Sequence, residues 1–449
     1  MGDENRPPVE NDVERLQPAQ LVADLRDLDL VQKELQDQLQ IRSKTPPRNQ
    51  SRDLDLALLD LPYLDSEIVP HRQDAVLVKD AQEERLSWLK TFKDELKIGG
   101  KTIRIEKVTP DMVTLTDEDL VVFALRKYFR HQYAGWAPTF DKHHILDLIE
   151  GWPYTKGSIG VVEKAPHAAH IPAGTGRPGP RVGIADTGIY PHADLVGRYV
   201  GDPLHDLLEP APSTAAHATF IAGLILQRAP EAGLVVREVL DVHGVNARSW
   251  DVAVKMMDFL DAGVSVLNLS LGCLTADSQP PLILRRAVER LSTRMVLVAA
   301  AGNNGNLEGR TTAGVTAETP SWPAAFDDVV AVGAYDPRLP EHERAKFSPH
   351  VQLVDLLAPG VRVQSTFLSG DVRILHRNED TGELEDKGPE TFPEPGYAIW
   401  DGTSFAAANV SGEIAARMRS GHMSAHEALD GLLHPNGRPS SDIIPFPLT

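Results

Sequence analysis

The sequence predicts an α/β fold: a doubly wound, mostly parallel sheet over residues 181–449, preceded by a smaller α/β region with a helical segment. Two observations lead there. From Arg181 onward, short Val/Ile/Leu-rich runs alternate with helical patterns, and a parallel crossover needs a connection long enough to hold a helix. The chain's 449 residues are also too many for one small domain, so a second unit is expected ahead of the sheet.

In chain order, residues 1–20 are polar and Pro-containing and read as a disordered N-terminus. Residues 21–52 form a helix and linker. Leu21, Leu25, Leu28, Leu35 and Leu39 recur at steps of four and three, which suits either docking on the same chain or dimerisation, and Pro46 and Pro47 then break the pattern.

Residues 53–165 read as a small α/β propeptide-like or regulatory domain. Ala75 to Val78 suggests a strand, and Leu86, Leu89, Phe92 and Leu96 a helix face that Gly99-Gly100 stops before a strand at Ile103 and Ile105. Thr116 and Asp119 open a helix from Leu120 to Tyr133, and Asp141 to Glu150 reads as a shorter one. Residues 166–180 are a linker. They contain a G-x-G-x-x-G spacing, but the glycines precede a strand, and Pro178 and Pro180 obstruct the helix that dinucleotide binding requires.

Within residues 181–449, strands are expected at Arg181–Ala185, Leu234–Leu240, Val264–Leu269, Met295–Ala300 and Val329–Ala334. Ser249 caps a helix carrying Val252, Val254, Met256 and Phe259 that ends at Gly263, and Leu282–Leu291 carries a second helical face.

Composition limits the function classes. A net charge of -19 without a dense Lys/Arg block opposes a nucleic-acid binder. No apolar run approaches the roughly 18 residues of a membrane span. The polar start lacks a secretory pattern, and Cys273, the single cysteine, excludes an intrachain disulfide, so a cytoplasmic protein is expected.

Reactive groups of an open α/β sheet gather beyond the carboxyl ends of its strands. Asp186 ends the first apolar strand and precedes Thr187-Gly188; an aspartate so placed is, alone, more often a cap or turn residue. His217 opens an apolar, small-residue helical segment through Ala222-Gly223. Ser404, after Gly402-Thr403, enters another, where unpaired first-turn amides can face an oxyanion, although an N-cap serine looks the same. Ala300-Ala301-Gly302-Asn303 ends a buried strand in small residues and a side-chain amide, which also suits a turn.

Taken together, Asp186-Thr187-Gly188, His217 with Thr219 and Ala222-Gly223, Ser270-Leu271-Gly272, Ala301-Gly302-Asn303 and Gly402-Thr403-Ser404 with Ala406-Ala407 resemble the subtilisin-like serine peptidases, the subtilases. The resemblance covers about residues 181–420 and implies a sheet of subtilisin type. It implies serine endopeptidase activity on proteins or peptides through an acyl-enzyme on Ser404, with His217 as general base, Asp186 orienting it, and Asn303 with the Ser404 amide as oxyanion hole. It further implies that Ser270, Leu271 and Gly272 line the substrate cleft. Small residues at Ala300, Ala301 and Gly302 permit a roomy apolar pocket.

The chain departs from the family pattern at Ala218, where glycine is usual, and at Asn409, where proline is common. The short turn Gln227–Ala232 lacks the loop that binds calcium in secreted subtilisins, so no metal or cofactor is expected. Leu368–Ile399 is a charged insertion, either a hairpin near the cleft or a solvated loop. His143-His144 with Asp147, and His167 and His170 with Glu163, supply no three-ligand frame.

By resemblance to the propeptides of many subtilases, the region before about residue 170 is expected to restrain or fold the peptidase, with self-cleavage near residues 160 to 180; the rival is a permanent regulatory or partner-binding domain. The competing function is a catalytically silent protease fold that serves as a peptide-binding scaffold.

Overall fold

The computed structural model describes residues 55–60, 95–98, 101–109, 112–116, 139–141, 145–148, 162–174, 179–202, 210–241, 247–275, 280–305, 316–339, 343–350, 353–377, 384–418 and 423–434. The chain divides into two units, Met1–His144 with Pro281–Ile283, and Ile145–Pro280 with Leu284–Thr449. The expected helices at 21–39 and 120–133, residues 86–94 of the one expected at 86–96, and the strand at 75–78 lie outside the described residues.

In the first unit, β1 (Asp55–Asp60), β2 (Glu95–Ile98), β3 (Lys101–Thr109), β4 (Met112–Thr116) and β5 (Thr139–Asp141) form a sheet in the order β2-β3-β4-β1-β5. All its pairs are antiparallel. Two expectations change here. Glu95–Ile98 is strand where a helix end was expected, because it pairs antiparallel with β3 from Glu95↔Arg104 to Ile98↔Lys101. Thr116 likewise closes a strand that pairs with both β1 and β3.

The second unit opens with β6 (Ile145–Leu148), another strand where a helix was expected, and β7 (Glu163–Lys164). Then come β8 (Arg181–Asp186), β9 (Tyr199–Gly201), β10 (Ala211–Pro212), α1 (His217–Arg228), β11 (Gly233–Glu238), β12 (Ala247–Arg248) and α2 (Ser249–Asp261). These are followed by β13 (Val266–Leu269), β14 (Leu271–Leu274), α3 (Leu282–Leu291), β15 (Val296–Ala300), β16 (Ser321–Trp322), β17 (Val329–Tyr335), β18 (Leu356–Pro359) and β19 (Val363–Thr366). The unit ends with β20 (Gly370–Arg377), β21 (Leu384–Phe392), β22 (Tyr397–Trp400), α4 (Thr403–Met418) and α5 (Ala425–Leu433).

Seven strands build the main sheet in the order β18-β17-β15-β13-β8-β11-β9, every pair parallel. β13, β15 and β17 are buried at every position, which is why they read as unbroken apolar runs: helices cover both faces of a parallel sheet. Strand order reverses at β8, which has β11 on one side and β13 on the other, and it is beyond the carboxyl end of such a strand that open α/β sheets bind their ligands.

Smaller sheets surround this one. β6 lies between β12 and β14, antiparallel to both; β22 lies between β19 and β7; and β10, β20 and β21 form a third sheet. The charged insertion is therefore a hairpin, from Gly370↔Phe392 to Arg377↔Leu384. Ser249 does not cap α2. Arg248 holds the extended N-cap conformation because β12 pairs it with Ile145, and the Ser249 hydroxyl is buried without a partner among the described residues.

Candidate active site

Asp186 is the last residue of β8, and it is fully buried at the strand-order reversal. Its Oδ1 accepts the Thr187 N–H at 2.8 Å. Both carboxylate oxygens face His217 Nδ1, at 2.8 Å for Oδ1 and 2.9 Å for Oδ2. Against a carboxylate, Nδ1 carries the ring proton, which leaves Nε2 as the acceptor.

His217 begins α1 after a 3-10 turn, Ser213–Ala216, and is 4% exposed. Two bonds fix the helix start to the turn after Asp186: the Ala218 N–H donates to Thr187 Oγ1 at 3.2 Å, and the Tyr190 N–H to Thr219 Oγ1 at 2.8 Å. The imidazole stands edge-on to Trp400 at 5.7 Å between centroids and tilted against Phe405 at 5.5 Å. Trp400 ends β22 and Phe405 follows Ser404 in α4, so apolar packing sets the imidazole against the residues on either side of the α4 start. The β20–β21 hairpin joins this region through β10, where Ala211 pairs with Val372 just ahead of that 3-10 turn.

Ser404 is the second residue of α4 and is 2% exposed. Its hydroxyl donates to the Ser270 carbonyl at 3.4 Å and makes no bond to His217. So long a contact is weak, and rotation about one side-chain bond frees the hydroxyl. The return bond is firmer: Ser270 Oγ donates to the Ser404 carbonyl at 3.0 Å. Asn268 Nδ2 donates to Ser270 Oγ at 2.8 Å and Ser411 Oγ to Asn268 Oδ1 at 3.0 Å, which ties α4 to the end of β13.

Asn303 follows β15 and is 3% exposed. Its Oδ1 accepts the Thr403 N–H at 3.1 Å and lies 3.1 Å from Thr403 Oγ1, so the amide is oriented by the residue just before Ser404. Gly302 makes this turn at φ +118°, a conformation open to glycine. Its missing Cβ would lie 2.7 Å from Asn304 Oδ1. Ala300, Ala301 and Asn303 are all buried at this strand end.

Leu271 and Gly272 stand on β14, and its edge is occupied by β6, with Leu271 opposite Leu148 and Gly272 opposite Asp147. Leu146, opposite Ala247 of β12, is fully buried.

Of the sequence-selected residues, Asp186 and His217 meet directly, Ser404 meets Ser270, and Asn303 is joined to Ser404 through Thr403. Trp400, Phe405 and Asn268 were not selected. Thr403 lies within Gly402-Thr403-Ser404 with no role of its own in that pattern, and Trp400 carries no sequence signal beyond an apolar strand. Glu163 bonds Arg362 with both carboxylate oxygens, at 2.7 and 2.9 Å, rather than pairing with His167 and His170. His143 and His144 lie outside the described residues. Among the described residues, no three His, Cys, Asp or Glu side chains converge as a metal site, and no helix is long and apolar enough to cross a membrane.

Residues 177–434 match the model of the subtilase family of S8 peptidases. The chain is 27% identical over 340 residues to a thermophilic serine proteinase of Bacillus sp. (strain AK1), covering 73% of this chain and 70% of that protein. It is 29% identical over 286 residues to Subtilisin E of Bacillus subtilis (strain 168), covering 61% of this chain and 63% of that one. To Subtilisin BL of Lederbergia lenta it is 33% identical over 259 residues, covering 55% and 79%.

Proposed function

Because the chain belongs to the subtilase family, a family of serine peptidases, we propose that it is an endopeptidase with Ser404 as nucleophile, His217 as general base and acid, Asp186 orienting the imidazole, and Asn303 in the oxyanion hole. The observation that carries this reading is the buried His217–Asp186 contact, with Phe405 of α4 against the imidazole and Thr403, at the start of the same helix, bonded to Asn303.

A neutral hydroxyl is a poor nucleophile, so His217 Nε2 takes the Ser404 proton as Oγ bonds to the substrate carbonyl carbon. The oxyanion that forms is met by the Asn303 side-chain amide and the Ser404 backbone N–H, whose first-turn position leaves it without an intrahelical acceptor. Collapse breaks the C–N bond, and His217 passes its proton to the leaving amine. Water then attacks the ester, yields a proton to His217 and releases the new carboxyl end as Oγ regains its hydrogen.

In this reading the N-terminal region restrains the enzyme. Substrates of this kind add as a strand to an open edge, and β6 already fills the edge of β14 with Leu146 buried, so a substrate main chain must displace it. Leu148 stands opposite Leu271, one step short of Ser270, whose carbonyl holds the Ser404 hydroxyl. Self-cleavage is therefore expected soon after Leu148, upstream of the 160–180 stretch that composition suggests. A reducing, cytoplasmic setting suits a chain whose single cysteine excludes an internal disulfide.

The test is fluorophosphonate labelling with intact-mass analysis of the full chain. Wild type should take up the probe and shorten just after residue 148, while Ser404→Ala does neither. Equal labelling of both removes Ser404 as nucleophile, and no labelling of either favours the silent scaffold.

A further inference from the structure

Asp401 links β22 to α4, three residues before Ser404. Its Oδ1 accepts the backbone N–H of Arg362 at 2.5 Å. Arg362, in the turn between β18 and β19, has φ +52° and is the one non-glycine residue with positive φ among the described residues. A side chain with a Cβ disfavours that conformation, and glycine would adopt it freely. An arginine here points to a use for the guanidinium.

That use is visible. The guanidinium grips Glu163 with two bonds, of 2.7 and 2.9 Å, a fork geometry that gives direction as well as attraction. Glu163 lies on β7, opposite Ile399 of β22, and β22 runs straight into Asp401. The Gly402 N–H donates to the Gly360 carbonyl at 2.8 Å, and a Cβ on Gly360 would lie 2.8 Å from the Gly402 carbonyl oxygen, so the two turns touch. Arg362 holds the Glu163 carboxyl below its usual range, and burial pushes the Asp401 carboxyl up. Arg338 also faces this group and is itself paired with Asp336. The side chains of Arg362 and Glu163 are 35% and 50% exposed, so their attraction adds little to stability and does not explain the strained turn.

We propose that Glu163, Arg362 and Asp401 form a clasp that positions Ser404, with Asp401 as the positioning residue and Glu163 as the outer anchor. The clasp touches no reacting atom. Glu163 lies ahead of residues 177–434, so the working catalytic unit extends beyond the part that matches the family. This rests on the peptidase reading above.

The test uses the full chain, with active sites counted by fluorophosphonate uptake so that kcat is per competent site. Asp401→Ala should lower kcat about 30-fold with KM within about twofold, because a displaced nucleophile reacts slowly without binding less. Asp401→Asn keeps the acceptor and should recover to within about threefold of wild type. Arg362→Gly preserves the left-handed turn but drops the grip, and Glu163→Gln weakens it from the other end. Each should lower kcat about three- to fivefold, and the double variant no further, since one interaction is lost only once.

Wild-type kcat per site in Asp401→Ala, an Asp401→Asn as impaired as the alanine variant, or multiplied losses in the double variant would each overturn the clasp. Should Asp401→Ala fail to fold, Asp401→Asn and the Glu163–Arg362 cycle still decide. A wild type that takes up probe yet fails these tests refutes the clasp alone; one that takes up none refutes the peptidase reading with it.

Discussion

Replacing Gly223 by alanine tests how closely α1 must approach β19 to aim His217. A Cβ there would lie 2.2 Å from Ser365 Oγ and 2.4 Å from Thr366 Oγ1. Both hydroxyls are engaged, Ser365 to the Phe220 carbonyl and Thr366 to the Thr219 carbonyl, each at 2.7 Å. Ordinary carbon–oxygen contacts are more than 1 Å longer, so either the hydroxyls rotate away or the helix moves off the strand. Losing the two bonds costs about 1 kcal/mol each. Overpacking adds roughly 1–3 kcal/mol. The helix gains about 1 kcal/mol from exchanging glycine for alanine. The net is a destabilisation of about 2–4 kcal/mol, or on the order of 5–15 °C in melting temperature for a unit of this size. Melting should be followed in a Ser404→Ala background, where self-digestion cannot intervene. The same change in the active protein should lower kcat, because a shift of about 1 Å at the base can cost up to about 10²-fold. Unchanged or higher melting would refute the close-packing argument, since propensity alone would then have decided.

Two further predictions concern charge. Asp186→Asn should lower kcat by about 10⁴-fold with little change in KM, by presenting His217 in the wrong tautomer; a loss below about tenfold in steady-state assays would remove Asp186 from its role. Asp355, whose carboxylate accepts the Ala331 N–H at 2.8 Å, has its carboxyl pushed up first by burial and further by Asp327. A raised carboxyl binds protons more tightly folded than unfolded, so its contribution to stability falls as pH rises from the ordinary carboxylate range through the raised value. Asp355→Asn keeps the acceptor and removes the buried charge. It should melt above its Ser404→Ala parent at pH 7, with the gap closing toward about pH 4; a gap independent of pH would contradict this.

The parallel sheet was legible because burial on both faces leaves a one-dimensional trace, as in Val296–Ala300. Asp186, His217, Asn303 and Ser404 were legible because each sits where an element begins or ends, and chain order then limited the choices. β6 was not. Ile145–Leu148 is too short for its period to separate strand from helix, and its partners β12 and β14 lie more than a hundred residues away. The same distance hid the Ser249 error, since β6 is what holds Arg248 extended at the helix start. The Glu163–Arg362–Asp401 contacts join three remote segments whose residues look locally like ordinary surface charges.

Asn409 explains how a departure from the family pattern is absorbed. His217 and Ser404 stand at the first turns of α1 and α4, so their separation depends on how the two helices are set lengthwise. Gly412 brings the helices together, since a Cβ there would lie 2.8 Å from Arg228 Cβ and 3.0 Å from the Ile225 carbonyl oxygen. Asn409 then fixes the setting: its Oδ1 accepts Arg228 Nε at 3.2 Å, and its Nδ2 donates to the Pro359 carbonyl at 3.0 Å and the Phe405 carbonyl at 3.1 Å. Burial pulls the Arg228 guanidinium below its usual range, with the Glu413 charge opposing, so this end of α1 is a desolvated charge that needs its partners. A helix transmits position along its axis at about 1.5 Å per residue, and Arg228 therefore holds His217 from the far end of α1. Proline at 409 would carry no side-chain amide and could make none of these three bonds. What this chain gives up in family pattern it regains as a direct tie between the helices that carry the base and the nucleophile.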